Sequence, residues 1–146
     1  MISNNEIISE FQSKLEKTNI EDFFIVRYDS GTNRLILVGS FDFSYYQDVE
    51  LIFHKATFIC CPTSIFTINK FRIASEFEIK ALHKVMYGFQ KNGTVFALDD
   101  IYFNTSYYIV ADNVEYNYQN IKYNQINVSK GEMISPWAKE RFEAPS

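Results

Sequence analysis

Two cysteines and two histidines are the residues whose side chains could act as nucleophiles, bases or metal ligands. Cys60 and Cys61 are adjacent in a strand-favouring run, and neighbouring side chains on a strand point to opposite faces. A disulfide between adjacent residues is strained, so we expect one buried and one partly exposed free thiol. His54 and His83 fall on the polar sides of a predicted strand and a predicted helix, and we expect both to face solvent. No catalytic residue and no metal ligand is predicted from these four side chains.

Carboxylates are the other side chains that could do chemistry, and they fall into three groups. The groups are Asp42, Asp48 and Glu50, then Asp99 and Asp100, then Asp112 and Glu115. None has the spacing of a calcium-binding loop, so we interpret them as turn residues and solvated strand faces. The chain also lacks the P-loop, GxGxxG, HExxH, GxSxG and paired CxxC motifs, and its 5 glycines are too few for a local phosphate cradle. The sequence therefore predicts no cofactor.

The segment SFDFSYYQDVE, residues 40–50, combines four aromatic rings with three carboxylates and contains no cation. Phe41 and Phe43 share one face of a strand, but the pair Tyr45-Tyr46 breaks the alternation and predicts a bulge or turn. One interpretation is a core edge with solvated acids. The other is an interaction patch, in which tyrosines offer contact area and carboxylates select a basic partner. On that second interpretation the partner-binding residues are Tyr45, Tyr46, Asp48 and Glu50.

Length, composition and charge limit the class of protein. The chain has 146 residues, 47% of them hydrophobic and 17% aromatic, which predicts a single globular domain over residues 1–146. The formal net charge is −4 and no block of basic residues occurs, which argues against nucleic acid as a partner. Residues 1–17 lack the features of a signal peptide, and no window approaches the ~20 apolar residues of a membrane helix. We therefore expect a cytoplasmic protein that does not enter a membrane.

Periodicity predicts the elements that would position these side chains. Apolar residues at helical spacing predict a helix over 5–17, and the capping box of Ser75 and Glu78 predicts a second over 76–87. The pair Asn92-Gly93 leaves an alternative open, a hairpin that includes 85–89. Pro136 predicts the start of a short helix over 136–142. Strands are predicted over 23–28, 35–38, 48–53, 56–61, 70–73, 95–98, 107–111, 114–118 and 121–128.

The order of these elements predicts an α+β fold. We expect one domain with a curved, mainly antiparallel sheet of about six to eight strands, an N-terminal helix and one middle helix.

A resemblance adds a functional expectation. The segments SFDFSYY, DVELIF and ICCPT, within residues 40–63, resemble a pattern in small bacterial α+β domains of the toxin-immunity type. The resemblance implies a cytoplasmic, single-domain binder that neutralises a toxin without catalysis, and it assigns no binding residue.

The sequence thus favours a non-catalytic protein-binding module with a basic protein partner. The alternative is a small-molecule-binding protein or enzyme that uses an aromatic-lined pocket of the curved sheet. A third hypothesis is a homo-oligomer whose subunit interface uses the aromatic excess.

Overall fold

The computed structural model describes residues 3–18, 20–40, 46–85, 93–122 and 133–134, and the side chains of all of these except 46–48, 118–122 and 133–134. The helices are α1 (Asn4–Glu16) and α2 (Glu76–Val85). The strands are β1 (Asp22–Asp29), β2 (Arg34–Ser40), β3 (Tyr46–His54), β4 (Phe58–Cys60), β5 (Phe66–Thr67), β6 (Lys70–Ile73), β7 (Thr94–Asp100), β8 (Thr105–Ala111), β9 (Asn113–Lys122) and β10 (Met133–Ile134).

In the described part of the chain the strands form two sheets. The larger has the order β10-β9-β3-β2-β1-β5 and the smaller the order β4-β8-β7-β6. The pairs are antiparallel except that β10 runs parallel to β9. The fold is α+β and a single domain, as predicted, although the strands divide between two sheets instead of sharing one curved sheet.

The described chain passes between the two sheets four times, and three of these passages are short bends. β3 leads into β4 at Lys55, which has a left-handed backbone (φ 54°), and β8 leads into β9 at Asp112, whose N–H donates to the His54 carbonyl at 2.9 Å. β5 leads into β6 at Asn69, whose N–H donates to the carbonyl of Asp99 at 2.8 Å. Strands that switch sheets at bends make the corners of barrel-like sandwiches. The two sheets therefore enclose one core.

Aromatic rings fill the middle of that core. Phe53 contacts Phe96 edge to face at 5.3 Å between centroids, Phe71 stacks on Phe96 at 5.8 Å, and Phe11 meets Phe71 at 5.6 Å. All four side chains are at most 2% exposed. Pairs of this geometry add to the free energy of burial. These phenylalanines pack against one another, so they give no support to the aromatic-pocket alternative.

Helix α1 closes the gap between β6 and β9. Its apolar side places Ile8, Phe11 and Leu15 in the core, one helical turn apart. Gln12 accepts a 2.7 Å hydrogen bond from the Phe71 N–H, so a polar side chain of the helix supplies the partner that the backbone of β6 needs.

Helix α2 lies on the outer face of the smaller sheet. Only Leu82 of this helix is buried, in a second cluster with Val95, Ala97 and Val110. The capping box forms as predicted: the Glu78 N–H donates to Ser75 Oγ at 3.3 Å, and the Ser75 N–H donates to Glu78 Oε1 at 2.9 Å. The helix extends through Val85, so the predicted helix over 76–87 is confirmed up to that residue. The hairpin alternative beyond it lies outside the described residues.

Several predicted boundaries shift. The two strands predicted over 114–118 and 121–128 are one strand, β9, through Lys122, and the short strands β5 and β10 were not predicted. The predicted helix over 136–142 lies outside the described residues. The bulge or turn was predicted at Tyr45-Tyr46, and Tyr45 lies outside the described residues. A separate shift in the β3–β9 register lies between Gln47 and Val49.

Candidate functional site

The four predicted partner-binding residues are only partly described. Tyr45 lies outside the described residues. The backbones of Tyr46 and Asp48 belong to β3, and their side chains are not described. Glu50 is half-buried on β3, opposite Val38 of β2. This set of contact residues therefore stays a prediction.

The two histidines and Cys60 lie at the surface, and Cys61 packs against the core. His54 Nε2 lies 3.2 Å from Glu115 Oε1 in an exposed cross-strand pair. His83 is exposed on α2. Cys60 is exposed, whereas Cys61 packs against the core, where burial raises the pKa of its thiol to about 12. A thiol with so high a pKa is a poor nucleophile at neutral pH.

The turn between β7 and β8 carries the most exposed run of apolar side chains in the described part of the chain. Ile101, Tyr102 and Phe103 are consecutive and are 67%, 65% and 78% exposed. We call these three residues the apolar turn. Contiguous exposed apolar side chains on a soluble protein mark interaction sites, whereas single exposed ones need no explanation. Sequence analysis missed this run, although three large apolar residues between Asp100 and Asn104, where a hairpin must turn, were a readable signal.

Hydrogen bonds hold the backbone of the apolar turn in one conformation. Asp100 Oδ1 accepts from the N–H groups of Tyr102 at 3.0 Å and Phe103 at 3.2 Å. Asn69 Oδ1 accepts from the Ile101 N–H at 2.8 Å. Asn104 closes the turn with a left-handed backbone (φ 50°), which Asn tolerates better than most residues. The exposed side chains therefore stand on a backbone that is already ordered.

Asp100 differs from the other carboxylates singled out in the sequence. It was predicted as a turn residue facing water, and it does serve the turn, but it is only 2% exposed. Its two backbone donors compensate the cost of burying the carboxylate. Burial and the neighbouring Asp100 charge raise the pKa of Tyr107.

The apolar turn is linked to Ser40, the last residue of β2, through the edge of the larger sheet. The hydroxyl of Tyr102 donates to Glu21 at 3.1 Å, and this bond raises the pKa of Tyr102. The next residue, Asp22, pairs with Ser40, where that segment begins. The turn and the start of the segment are thus joined through two consecutive residues at the edge of the larger sheet.

A network of charged side chains lies on the outer face of the smaller sheet, next to the apolar turn. Arg72 binds Glu78 through Nη1–Oε1 at 2.6 Å and Nη2–Oε2 at 2.9 Å, and binds Asp99 through Nε–Oδ2 at 2.8 Å. Ser106 donates to Asp99 Oδ1 at 2.6 Å, and the hydroxyl of Tyr108 donates to Glu78. We call these five residues the Arg72 network.

The network shifts the pKa values of Glu78 and Tyr108. The hydrogen bonds from Arg72 hold the pKa of Glu78 well below its usual range, and that from Tyr108 adds to the effect. Burial raises the pKa of Tyr108 to about 12, with a further contribution from Glu78. Glu78 is therefore ionised at neutral pH, and Tyr108 is protonated. An ionised Glu78 is the form that the bidentate hydrogen bonds from Arg72 favour.

A cavity of about 490 Å³ opens between the apolar turn and the Arg72 network. Its lining comes from Asp99, Asp100, Ile101, Asn104, Thr105, Ser106 and Tyr108. Two of these residues are carboxylates, and Ile101 belongs to the apolar turn as well. Within the residues that the structure describes, no group of three or more His, Cys, Asp or Glu could hold a metal ion.

Comparison of the chain with models of protein families, with curated proteins and with solved structures found no match in any of the three. Among the described residues, no helix is long and apolar enough to cross a membrane.

Proposed function

We propose that this chain is a non-catalytic protein-binding module and that its partner contacts the apolar turn. The observation that carries the proposal is the exposure of Ile101, Tyr102 and Phe103 on a turn whose backbone is fixed by Asp100 and Asn69. Aromatic side chains are enriched among the residues that supply most of the binding energy at protein interfaces. An ordered backbone also lowers the entropy that binding must remove.

The folding of the turn does not require these apolar residues. The β1–β2 turn has the same frame, an Asp, three residues and an Asn, with Ser30, Gly31 and Thr32 in the middle. There too the Asp accepts from a turn N–H, Asp29 Oδ1 from Gly31 at 2.9 Å, and Asn33 has a left-handed backbone (φ 56°). Since three small or polar residues satisfy one frame, three large apolar ones in the other indicate a use beyond folding.

Charge indicates the kind of partner. The chain carries a net charge of −4, Glu21 accepts a hydrogen bond from the Tyr102 hydroxyl, and the sequence segment 40–50 has three carboxylates and no cation. Complementary charge speeds association and selects among partners. We therefore favour a basic protein. An immunity-type role, in which the partner is a toxin that this chain neutralises, is the specific form that the resemblance of residues 40–63 implies.

Substitution of the turn tests the proposal. Wild type, Phe103→Ser and Phe77→Ser are used as baits for chemical crosslinking and mass spectrometry in cells of the source organism, and affinities for the recovered protein are then measured with purified components. Phe77 is the matched control because it is also a highly exposed phenylalanine, at 82%, but lies on α2. We expect Phe103→Ser to weaken binding by more than about 30-fold and Phe77→Ser to leave it unchanged.

Two outcomes would contradict the proposal. One is a partner whose affinity is the same for wild type and Phe103→Ser. The other is self-association, seen as a concentration-dependent mass in light scattering that Phe103→Ser abolishes, because the turn would then be a subunit interface and the homo-oligomer hypothesis would hold.

A further inference from the structure

We propose that the cavity beside the apolar turn binds the guanidinium group of an arginine side chain of the partner. This inference rests on the proposed function for the source of the arginine. It adds a second, chemically different subsite to the apolar contact, and it assigns that subsite to Asp99, Asp100, Ser106 and Tyr108.

The position and the volume of the cavity suit a side chain of the partner. The cavity shares Ile101 with the apolar turn, so a partner segment that covers the turn passes over the mouth of the cavity. Its volume of about 490 Å³ lies within the ~300–1,000 Å³ of sites that enclose small ligands, and is much larger than one ion needs. A long side chain of the partner can therefore enter while its backbone stays on the surface.

The charged side chains around the cavity favour a cation as its ligand. Three carboxylates lie in or beside the cavity, Glu78, Asp99 and Asp100, and Arg72 balances only part of their charge. Lys70 stands opposite Asp99 in the strand pair, and its ammonium makes no ion pair in the described structure. Arg72 and Lys70 set against the three carboxylates leave one excess negative charge, and the carboxylates do not converge as metal ligands do. A cation on a side chain is the ligand that this balance favours.

One carboxylate oxygen at the cavity can accept a further hydrogen bond. Asp99 Oδ2 has one described donor, Nε of Arg72, whereas a carboxylate oxygen accepts two hydrogen bonds. Arg72 already forks onto this carboxylate, through Nε–Oδ2 at 2.8 Å and Nη2–Oδ1 at 3.1 Å, and Ser106 also donates to Oδ1. A guanidinium of the partner would therefore add a single hydrogen bond, to Oδ2. Thr105 and Tyr108 also line the cavity. Arginine suits such a site better than lysine because it offers five donors and stacks on aromatic rings.

The test uses small probes, so that it does not depend on finding the partner. ¹⁵N-labelled wild-type protein is titrated with N-acetyl-arginine N-methylamide, and separately with the citrulline analogue, which has the same shape and no charge. We expect saturable shifts of the amide resonances of Asn104, Thr105 and Ser106, with a Kd of about 1–10 mM for the arginine probe. The citrulline probe should bind at least about fivefold more weakly.

Variants at Thr105 connect the shifts to the cavity. Thr105 is exposed at the cavity rim, so Thr105→Lys should place a tethered cation in the cavity and abolish the response to the arginine probe. Thr105→Gln, similar in length and uncharged, is the matched control and should retain the response. Asp112→Asn removes an exposed carboxylate that pairs with Lys55 away from the cavity, and should also retain it.

Equal affinities for the two probes, no shift at about 50 mM probe, or a response that survives Thr105→Lys would each overturn the arginine subsite. The outcome is separable from that of the proposed function. A probe that binds while Phe103→Ser keeps full affinity for the partner would support the cavity and contradict the apolar turn. The reverse combination would support the turn alone.

Discussion

The β1–β2 turn and the β7–β8 turn reverse the chain with the same backbone pattern, but their surroundings differ. Each joins neighbouring antiparallel strands, begins with an Asp whose carboxylate accepts a turn N–H and ends with an Asn of positive φ. The difference is burial: Asp29 is partly exposed and interacts with Gly31 and Thr32, whereas Asp100 is 2% exposed and accepts from Tyr102 and Phe103.

The comparison distinguishes the residues that a turn needs to reverse the chain from the side chains that it exposes to solvent. The Asp and the Asn are common to both turns and make the reversal of the chain possible, whereas the three residues between them differ in type. Asn69 and Glu21 from outside the hairpin anchor the β7–β8 turn as well. Anchoring fixes the side chains of the apolar turn in space, which is what a recognition surface requires.

Exchange of the middle residues is the strongest test of this comparison. Ile101→Ser, Tyr102→Gly and Phe103→Thr together give the β7–β8 turn the middle of the β1–β2 turn. We expect the affinity for the partner to fall by about 100-fold or more, because the aromatic contacts are lost. Urea unfolding should change by less than about 1 kcal/mol, since the frame is retained. Unfolding of the variant at a much lower urea concentration would show that the apolar residues serve the fold.

The two aspartates should differ in their contributions to stability. Asp100→Ala leaves the N–H groups of Tyr102 and Phe103 without their partner at a buried position, and we expect a loss of about 2–3 kcal/mol in the free energy of unfolding. Asp29→Ala should cost less, because water reaches its partner Gly31. Equal losses in urea titrations of the two variants would contradict the difference in anchoring.

Acid should lower the stability of the fold by protonating Glu78, a member of the Arg72 network. Arg72 holds the folded-state pKa of Glu78 below the ordinary value, so the ionised carboxylate stabilises the fold above that value. This contribution decreases as the pH falls below the ordinary range and is lost once the pH passes the folded-state pKa. Glu78→Gln should therefore flatten the fall in thermal stability on acidification below about pH 4.5.

Asp29 is the control for this pH dependence. The hydrogen bond from the Gly31 N–H also lowers its pKa, so its contribution has the same sign. The group is exposed to solvent, which screens the interaction, and Asp29→Asn should change the acid slope less than Glu78→Gln. A larger effect of Asp29→Asn would mean that the Arg72 network does not dominate acid stability.

The smallest difference is expected at the two asparagines. Asn33→Ala and Asn104→Ala each place a side chain that disfavours positive φ in the same backbone conformation, and each should cost about 1 kcal/mol. Replacement of either Asn by Gly should be nearly neutral. Thermal melts that give clearly unequal costs for the two Ala variants would show that the frames are not equivalent.

Local signals in the sequence predicted much of the fold. The spacing of Ile8, Phe11 and Leu15 predicts the buried side of α1, and the alternation of Val49 and Leu51 predicts the inward side of β3. Such patterns can be read because burial repeats with the period of the element. The division of the strands between two sheets could not be read, since it depends on bends such as the one at Lys55, whose residue type does not favour positive φ.

The candidate site was less accessible from the sequence. The capping box of Ser75 and Glu78 was predicted because its members are three residues apart, but the bonds of Arg72 to Asp99 span 27 residues and depend on the pairing of β6 with β7. The segment of residues 40–50 attracted attention by its composition alone. The apolar turn was missed because its exposure depends on where the hairpin ends.

The sequence by itself determined the α+β class, the two helices, the capping box and the residues that fill the core, because each follows from chemistry within one element. Only the tertiary structure decided that Asp100 is buried beneath an exposed run of apolar residues, and that Arg72, Glu78 and Asp99 meet beside it. The physical reason is that burial and charge pairing depend on which strands become neighbours. That choice is made by the packing of the whole core.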